Sequence, residues 1–319
     1  MRLQKNKVVI GIDVGGTTSK IGVVDQGGNI SASAVVPTPE SEDPAILIQE
    51  ISRSLTKVLP GGFENAGIQA VGLGAPNASF FSGTISFAPN LNFAKNREVD
   101  FAGIFLEITG HKPVLTNDAN AAAIGEKFFG GATEMNDFIV ITVGTGLGSG
   151  IYVRGAILYG SDGLAGEIGH TVFQRDGRPC KCGKYGCIET YVSASGLGNT
   201  FRELCTNPPD VETPYDVFKI AQSGGEDAIR AFKLTGERLG IHLADIAAIF
   251  SPEAIFLSGG LISAGELLLE PANKALDANL MKHHKGKIPL RISELKNQQT
   301  AILGAAALGW DSIRKHEIQ

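Results

Sequence analysis

The chain has 319 residues, 43% hydrophobic and 19% charged, with a formal net charge of −5 at pH 7. That balance fills the core of one large or two ordinary domains, and the lack of clustered Lys or Arg argues against a nucleic-acid surface. No stretch approaches the roughly 18 apolar residues of a membrane span.

At the start, MRLQKNK leads into an apolar run that Asp13 interrupts, too early for a secretory leader, so a reducing, cytoplasmic setting is expected. Residues 8–12 and 21–24 are β-branched runs joined by a glycine and threonine turn within DVGGTTSK, the pattern of a hairpin. Residues 45–58 set Ile48, Ile51, Leu55 and Val58 at helical spacing ahead of Pro60, and 68–73 reads as a strand. A short strand at 112–115 ends at Thr116-Asn117-Asp118, and an alanine-rich helix at 119–129 is closed by Gly130 and Gly131. Asn117 and Asp118 therefore lie at a strand-to-helix turn, where side chains are held outward into a cleft. The opening grammar returns as strands 138–143 and 150–153 around Gly144-Thr145-Gly146. Phe232, Leu239, Leu243, Ile246 and Phe250 then line one helix face, before a strand at 254–257, the turn Ser258-Gly259-Gly260 and a final helix at 300–313. Two like strand-turn-strand units about 130 residues apart indicate two related α/β domains facing one another. No low-complexity linker separates them, so their boundary is a hinge.

Three of the four cysteines, Cys180, Cys182 and Cys187, cluster downstream of His170 in GEIGHTVFQRDGRPCKCGKYGCIE. A Cys3His set is a closed structural zinc shell. The alternative, disulfide pairing, belongs to short secreted chains. Gly177, Gly183 and Gly186 offer turns free of Cβ strain, and Cys205 reads as a small buried hydrophobe.

Glycine-rich turns between strands present backbone N–H groups to an anion, and Thr17 and Thr145 add hydroxyl donors, so two such turns can clamp a polyphosphate. Neither is a Walker A loop or a dinucleotide fingerprint. Tight hairpins that simply need glycine are the alternative for DVGGTTSK taken alone. Asp13, just ahead of the first turn, suits Mg²⁺, directly or through water, whereas Lys20 reads as a phosphate-side or merely solvated cation.

DVGGTTSK, TNDANAAAIGE, TVGTGLGSG, GEIGH and CKCGKYGCIE, in this order, resemble the ROK family of bacterial sugar kinases over residues 8–189, and the resemblance resumes at FLSGG, 256–260. It implies two RNase H-like domains of the actin-like ATPase superfamily, with ATP and sugar in an interdomain cleft, assembled as a homodimer or dimer of dimers. The boundaries expected are 1–118 plus 301–319 for a small domain and 119–300 for a larger one carrying the zinc loop. ATP with Mg²⁺ is then held by Asp13, Gly15, Gly16, Thr17, Thr18 and Lys20 on one side, and by Gly144, Thr145, Gly146, Gly259 and Gly260 on the other.

By the same resemblance Asp118 is the catalytic base and Asn117 a sugar contact, while Glu167 and Glu189 accept hydrogen bonds from sugar hydroxyls. His170 binds zinc through one ring nitrogen and faces the sugar with the other. For phosphoryl transfer through a loose transition state the base orients the nucleophile and accepts its proton late, for which an ordinary Asp pKa suffices. Taken alone, Asp118 is also a sound cap for a helix beginning at residue 119. Family members often carry Gly-x-Pro-Gly where this chain reads Gly74-Ala75-Pro76-Asn77, so Asn77 is either a sugar contact or a left-handed turn residue. Asn90 stands at another sugar-contact position, and His283 and His284, between lysines, read as a solvated loop.

The activity implied is an ATP- and Mg²⁺-dependent transferase of sugar catabolism, a hexose kinase acting on O6. Glucose is favoured, with N-acetylmannosamine, N-acetylglucosamine, mannose, allose or fructose as alternatives. ROK repressors add a helix-turn-helix ahead of the first hairpin, and a hairpin at residue 8 is expected to leave no room for one. A structural or chaperone-like actin relative would keep the nucleotide turns without the set Asn117, Asp118, Glu167, His170 and Glu189. Closure over the substrates is expected, since excluding water protects ATP from hydrolysis.

Overall fold

The computed structural model describes residues 7–295 and 299–318; the MRLQKN start weighed above lies outside them. In chain order come β1 (Val8–Val14), β2 (Thr18–Val24), β3 (Ile30–Pro37), α1 (Pro44–Val58), β4 (Ile68–Gly74), β5 (Ile85–Ser86), β6 (Glu98–Val99), α2 (Phe101–Thr109), β7 (Val114–Thr116) and α3 (Asp118–Phe129). There follow β8 (Phe138–Val143), β9 (Leu147–Val153), β10 (Ala156–Ile157), α4 (Ala194–Leu204), α5 (Pro214–Gln222), α6 (Glu226–Phe250), β11 (Ala254–Ser258), α7 (Glu266–Asn279), β12 (Leu290–Ile292) and α8 (Thr300–Ile318). The described residues divide into two compact units: one holds those up to Glu134, Ile157–Ala165 and those from Glu294 on, the other holds Met135–Ala156 and Gly166–Ser293.

The first unit is built on a five-stranded sheet ordered β3-β2-β1-β4-β7. β1, β2 and β3 form an antiparallel meander, and β4 and β7 run parallel to β1. Because β1 is covered on both faces, its sequence is a near-continuous apolar run rather than an alternating one. Ile10 and Ile12 face a core shared with Leu47, Ile48, Ile51 and Leu55 of α1 and Phe101 and Phe105 of α2. Val9, one residue out of phase, faces Ile302, Leu303, Ala306 and Trp310 of α8. The backbone of α8 lies directly on the sheet: a Cβ at Gly72 would sit 1.9 Å from the Ala305 carbonyl oxygen, and one at Gly11 would sit 2.4 Å from that of Ile302.

Contacts draw this unit wider than the sequence-based boundary at Asp118. α3 packs on α8, with Gly304 so close that a Cβ there would lie 2.6 Å from the Ala121 carbonyl oxygen. Such an approach keeps α3 with the first sheet.

The second unit carries a sheet ordered β10-β9-β8-β11-β12. β8 and β9 form an antiparallel hairpin, while β11 runs parallel to both β8 and β12. β8-β9 therefore bears the same relation to β11 that β1-β2 bears to β4, which is the repeat read from the sequence. α6 and α7 pack against each other in this unit. Among the described residues no helix is long and apolar enough to cross a membrane.

Candidate functional site

In the first unit the site residues gather at the carboxyl ends of parallel strands, the usual ligand edge of an open α/β sheet. Asp13 pairs with Gly74, and Gly74 with Thr116, so β1, β4 and β7 end side by side. α3 begins at Asp118, and Asn117 is its N-cap: the Asn117 side-chain oxygen accepts the Ala119 N–H at 2.9 Å. Asp118 Oδ1 accepts the same N–H at 2.8 Å. The capping role weighed for Asp118 thus belongs first to Asn117, whose amide nitrogen remains to donate.

Both carboxyls here depart from ordinary values. Asp118 opens to solvent, yet desolvation by the protein packed around it raises its pKa, with the Ala119 N–H pulling the other way. Asp13 is raised to about 6, by burial first and by the Asp118 charge second, against the opposing charge of Lys20. An ordinary Asp pKa would suffice for a late proton transfer, and the fold raises that of Asp118. Lys20 lies directly across the ladder from Asp13.

The turn after β1 leaves backbone N–H groups open, as an anion site would need. Gly15 N–H donates to Thr18 O at 3.2 Å, while the N–H groups of Gly16 and Thr17 find no acceptor among the described residues. Asn90 backs this turn: a Cβ on Gly16 would lie 2.8 Å from Asn90 Cβ. Asn77 has φ 52°, the left-handed turn conformation, and its amide nitrogen donates to Phe87 O at 2.9 Å.

In the second unit the turn Gly144-Thr145-Gly146 is closed by Gly144 N–H donating to Gly146 O at 2.9 Å, and Ala194 N–H caps Gly144 O at 2.8 Å. Glu189 reaches the same turn, its Oε2 accepting Leu147 N–H at 2.9 Å. Gly259, at φ 100°, lies so close to the end of β8 that a Cβ would be 2.4 Å from Val143 O, and Gly260 beside it is unobstructed.

His170 and the three cysteines bring one ligand atom each within 4.8 Å of one another. Cys180 Sγ is 3.6 Å from His170 Nδ1, and Cys182 Sγ is 3.6 Å from Cys187 Sγ. Zinc–sulfur and zinc–nitrogen bonds of about 2.3 and 2.1 Å at tetrahedral angles give edges of about 3.6–3.8 Å, so the donor set fits zinc. All four cysteines are free thiols. His170 keeps its other nitrogen toward Glu167, with Nε2 4.0 Å from Oε2. The loop is shaped by Cys180 N–H donating to Lys184 O at 2.8 Å and by Gly186, where a Cβ would fall 1.6 Å from Gln174 O.

Some residues carried no motif. Arg178 donates to Thr190 O at 2.7 Å and to Glu203 Oε1 at 2.9 Å, with its guanidinium 4.6 Å from the Tyr191 ring centre, so it ties the cysteine loop to the Glu189 turn. Thr38 and Ser19 brace the first anion turn. Their only trace in the sequence is a hydroxyl pair in neighbouring strands. His284 is buried rather than solvated, with Nε2 3.4 Å from Ser251 Oγ, and Cys205 is only half-buried.

Two α/β units of like topology, each with a glycine and threonine turn between its first two strands, define an actin-like ATPase fold. The chain belongs to the ROK family, whose model matches residues 9–311. It is 33% identical over 315 residues to a glucokinase of Halalkalibacterium halodurans, covering 94% of this chain and 93% of that one. The solved structure of a ROK family glucokinase from Streptomyces griseus in complex with glucose and AMPPNP superposes with a TM-score of 0.78 at 30% identity, over 95% of this chain and 99% of that one. A xylose repressor of Caldicellulosiruptor bescii is 30% identical over 76% of this chain but only 62% of its own length.

Proposed function

We propose that the protein is an ATP-dependent hexose kinase, a glucokinase that transfers the γ-phosphoryl group of ATP to the 6-hydroxyl of glucose. The observation that carries this reading is Asp118, a carboxylate with a raised pKa at the head of α3, beside Asp13 and the anion turn. Similarity to glucokinases across nearly the whole chain supports it.

Asp118 would orient the sugar hydroxyl and take its proton as the bond to phosphorus forms, and a raised pKa favours that transfer near neutral pH. The N–H groups of Gly16 and Thr17, with the turns at Gly144–Gly146 and Gly259–Gly260, would stabilise phosphate charge as positioned dipoles. Asp13, whose ionisation is resisted by burial and by Asp118, is suited to hold Mg²⁺, which supplies charge neutralisation at the phosphates when bound. Sugar hydroxyls would be held by Asn77, Asn90 and Asn117 of the first unit and by Glu167, Glu189 and the second ring nitrogen of His170 of the second. Zinc at His170, Cys180, Cys182 and Cys187 would serve architecture, fixing the loop and the tautomer of His170. We place the enzyme in the cytoplasm, as a homodimer or dimer of dimers, at the entry of glucose into glycolysis.

Sugar-dependent ATP consumption in a coupled assay tests the reading, with glucose set against N-acetylmannosamine, N-acetylglucosamine, mannose, allose and fructose. Asp118→Asn is expected to lower kcat by about 10²- to 10⁴-fold while leaving glucose binding measurable by calorimetry. Near wild-type turnover would remove Asp118 from the role of base. The likeness to a repressor favours one second reading, a sugar-responsive regulator, which predicts sugar binding without turnover.

A further inference from the structure

β3 delivers Thr38 to the underside of the first anion turn, where it is buried. Its hydroxyl donates to Gly15 O at 2.7 Å, and its backbone N–H donates to Thr17 O at 2.9 Å. Since that hydroxyl proton is committed to Gly15, the 3.0 Å contact between Thr38 Oγ1 and the fully buried Ser19 Oγ runs from serine to threonine. One residue thus holds two of the turn's carbonyls from below.

In a planar trans peptide the carbonyl and the following N–H point in opposite directions. Holding Gly15 O on the Thr38 side therefore turns the Gly16 N–H away from Thr38, to the open side of the turn. That Gly16 N–H is one of the two in the turn, with that of Thr17, that find no acceptor among the described residues. A turn rich in glycine would otherwise sample many peptide orientations, and losing them on binding would cost affinity.

We propose that Thr38, seconded by Ser19, is a positioning residue for the nucleotide: by holding Gly15 O it pre-aims the Gly16 N–H at the phosphates of ATP. This rests on reading that turn as a phosphate site. Thr38 itself touches no substrate.

Thr38→Val is the discriminating variant. It keeps the β-branched shape and the backbone bond to Thr17 but releases Gly15 O. Calorimetric titration with Mg·AMPPNP reads nucleotide affinity without requiring turnover, and a parallel titration with glucose reads the sugar site. Loss of one neutral hydrogen bond should weaken Mg·AMPPNP by about three- to ten-fold and raise the KM for ATP alike. Glucose affinity should not change, and Thr38→Ser should restore nucleotide binding. If Thr38→Val does not fold, Ser19→Ala, which leaves the Thr38 hydroxyl free to turn away from Gly15, carries the test with a smaller effect in the same direction.

Unchanged Mg·AMPPNP affinity in the folded variants would overturn the proposal. So would a loss shared equally by both ligands, since that marks a merely structural role. Wild-type protein that binds Mg·AMPPNP but never consumes ATP would count against the kinase reading alone, and the Thr38 comparison would still be decided by binding.

Discussion

Asp13 keeps its carboxyl in a place that does not favour charge, and the sign of the consequence can be worked out. Its folded-state pKa of about 6 lies above the ordinary 3.8, so between those values the folded protein binds more protons than the unfolded chain. Stability conferred by the protonated group is present below about pH 4 and is lost as pH rises through about 6. Asp13→Asn should therefore stabilise the ligand-free protein at pH 7, by at most about 3 kcal/mol, and do little at pH 4. Urea unfolding at the two pH values measures this, and equal effects at both would refute it. Destabilisation of this kind suits a group made to meet a cation. At the same scale Asn117 and Asp118 were legible in the sequence because a short strand running into an alanine-rich helix fixes where a turn must be. Thr38 was not, since its partners Gly15, Thr17 and Ser19 come from a hairpin some twenty residues earlier and meet it only through strand pairing.

Among elements, the cysteine loop brings its four candidate metal ligands together with little regular structure. Between β10 and α4 there are only two short 3-10 turns, Ile168–His170 and Ile188–Thr190, and the ligands sit in and between them. Arg178 and Tyr191 fasten this loop to α4, and Glu189 joins it to the second anion turn. Zinc removal should therefore loosen sugar and nucleotide contacts together. Cys182→Ser, or treatment with a chelator, is expected to lower both the melting temperature and glucose affinity, with metal content followed by atomic absorption. Full retention of both after the metal is gone would make the cluster incidental. Elements missed from sequence had weak signals: α2 spans only nine residues of largely apolar FAGIFLEIT, and α7 holds Pro271 within its length. β3 alternates exposed and half-buried positions with small side chains, which is a poor strand signal.

At the level of the whole molecule, neither unit is a continuous piece of chain. The first sheet is sealed on one side by α1 and α2, close in sequence, and on the other by α8, which begins at Thr300. Residues 1–134 expressed alone would leave Val9, Val24 and the glycine strip along Gly11 and Gly72 uncovered, so that fragment is expected not to fold. Circular dichroism and proton NMR dispersion would show it; a cooperatively folded fragment would contradict the packing argument. The sequence alone determined the hairpin repeat, the ROK membership carried by its motifs and the His170, Cys180, Cys182 and Cys187 cluster that fits zinc, because each depends on residue types at short, fixed spacings. Only the tertiary structure decided that α3 stays with the first sheet, that Asn117 is its N-cap, that the Asp118 charge helps to raise the pKa of Asp13, and that Thr38 underlies the glycine turn after β1. Those outcomes depend on pairings between segments far apart in the chain, and on burial, which no local pattern of residues encodes.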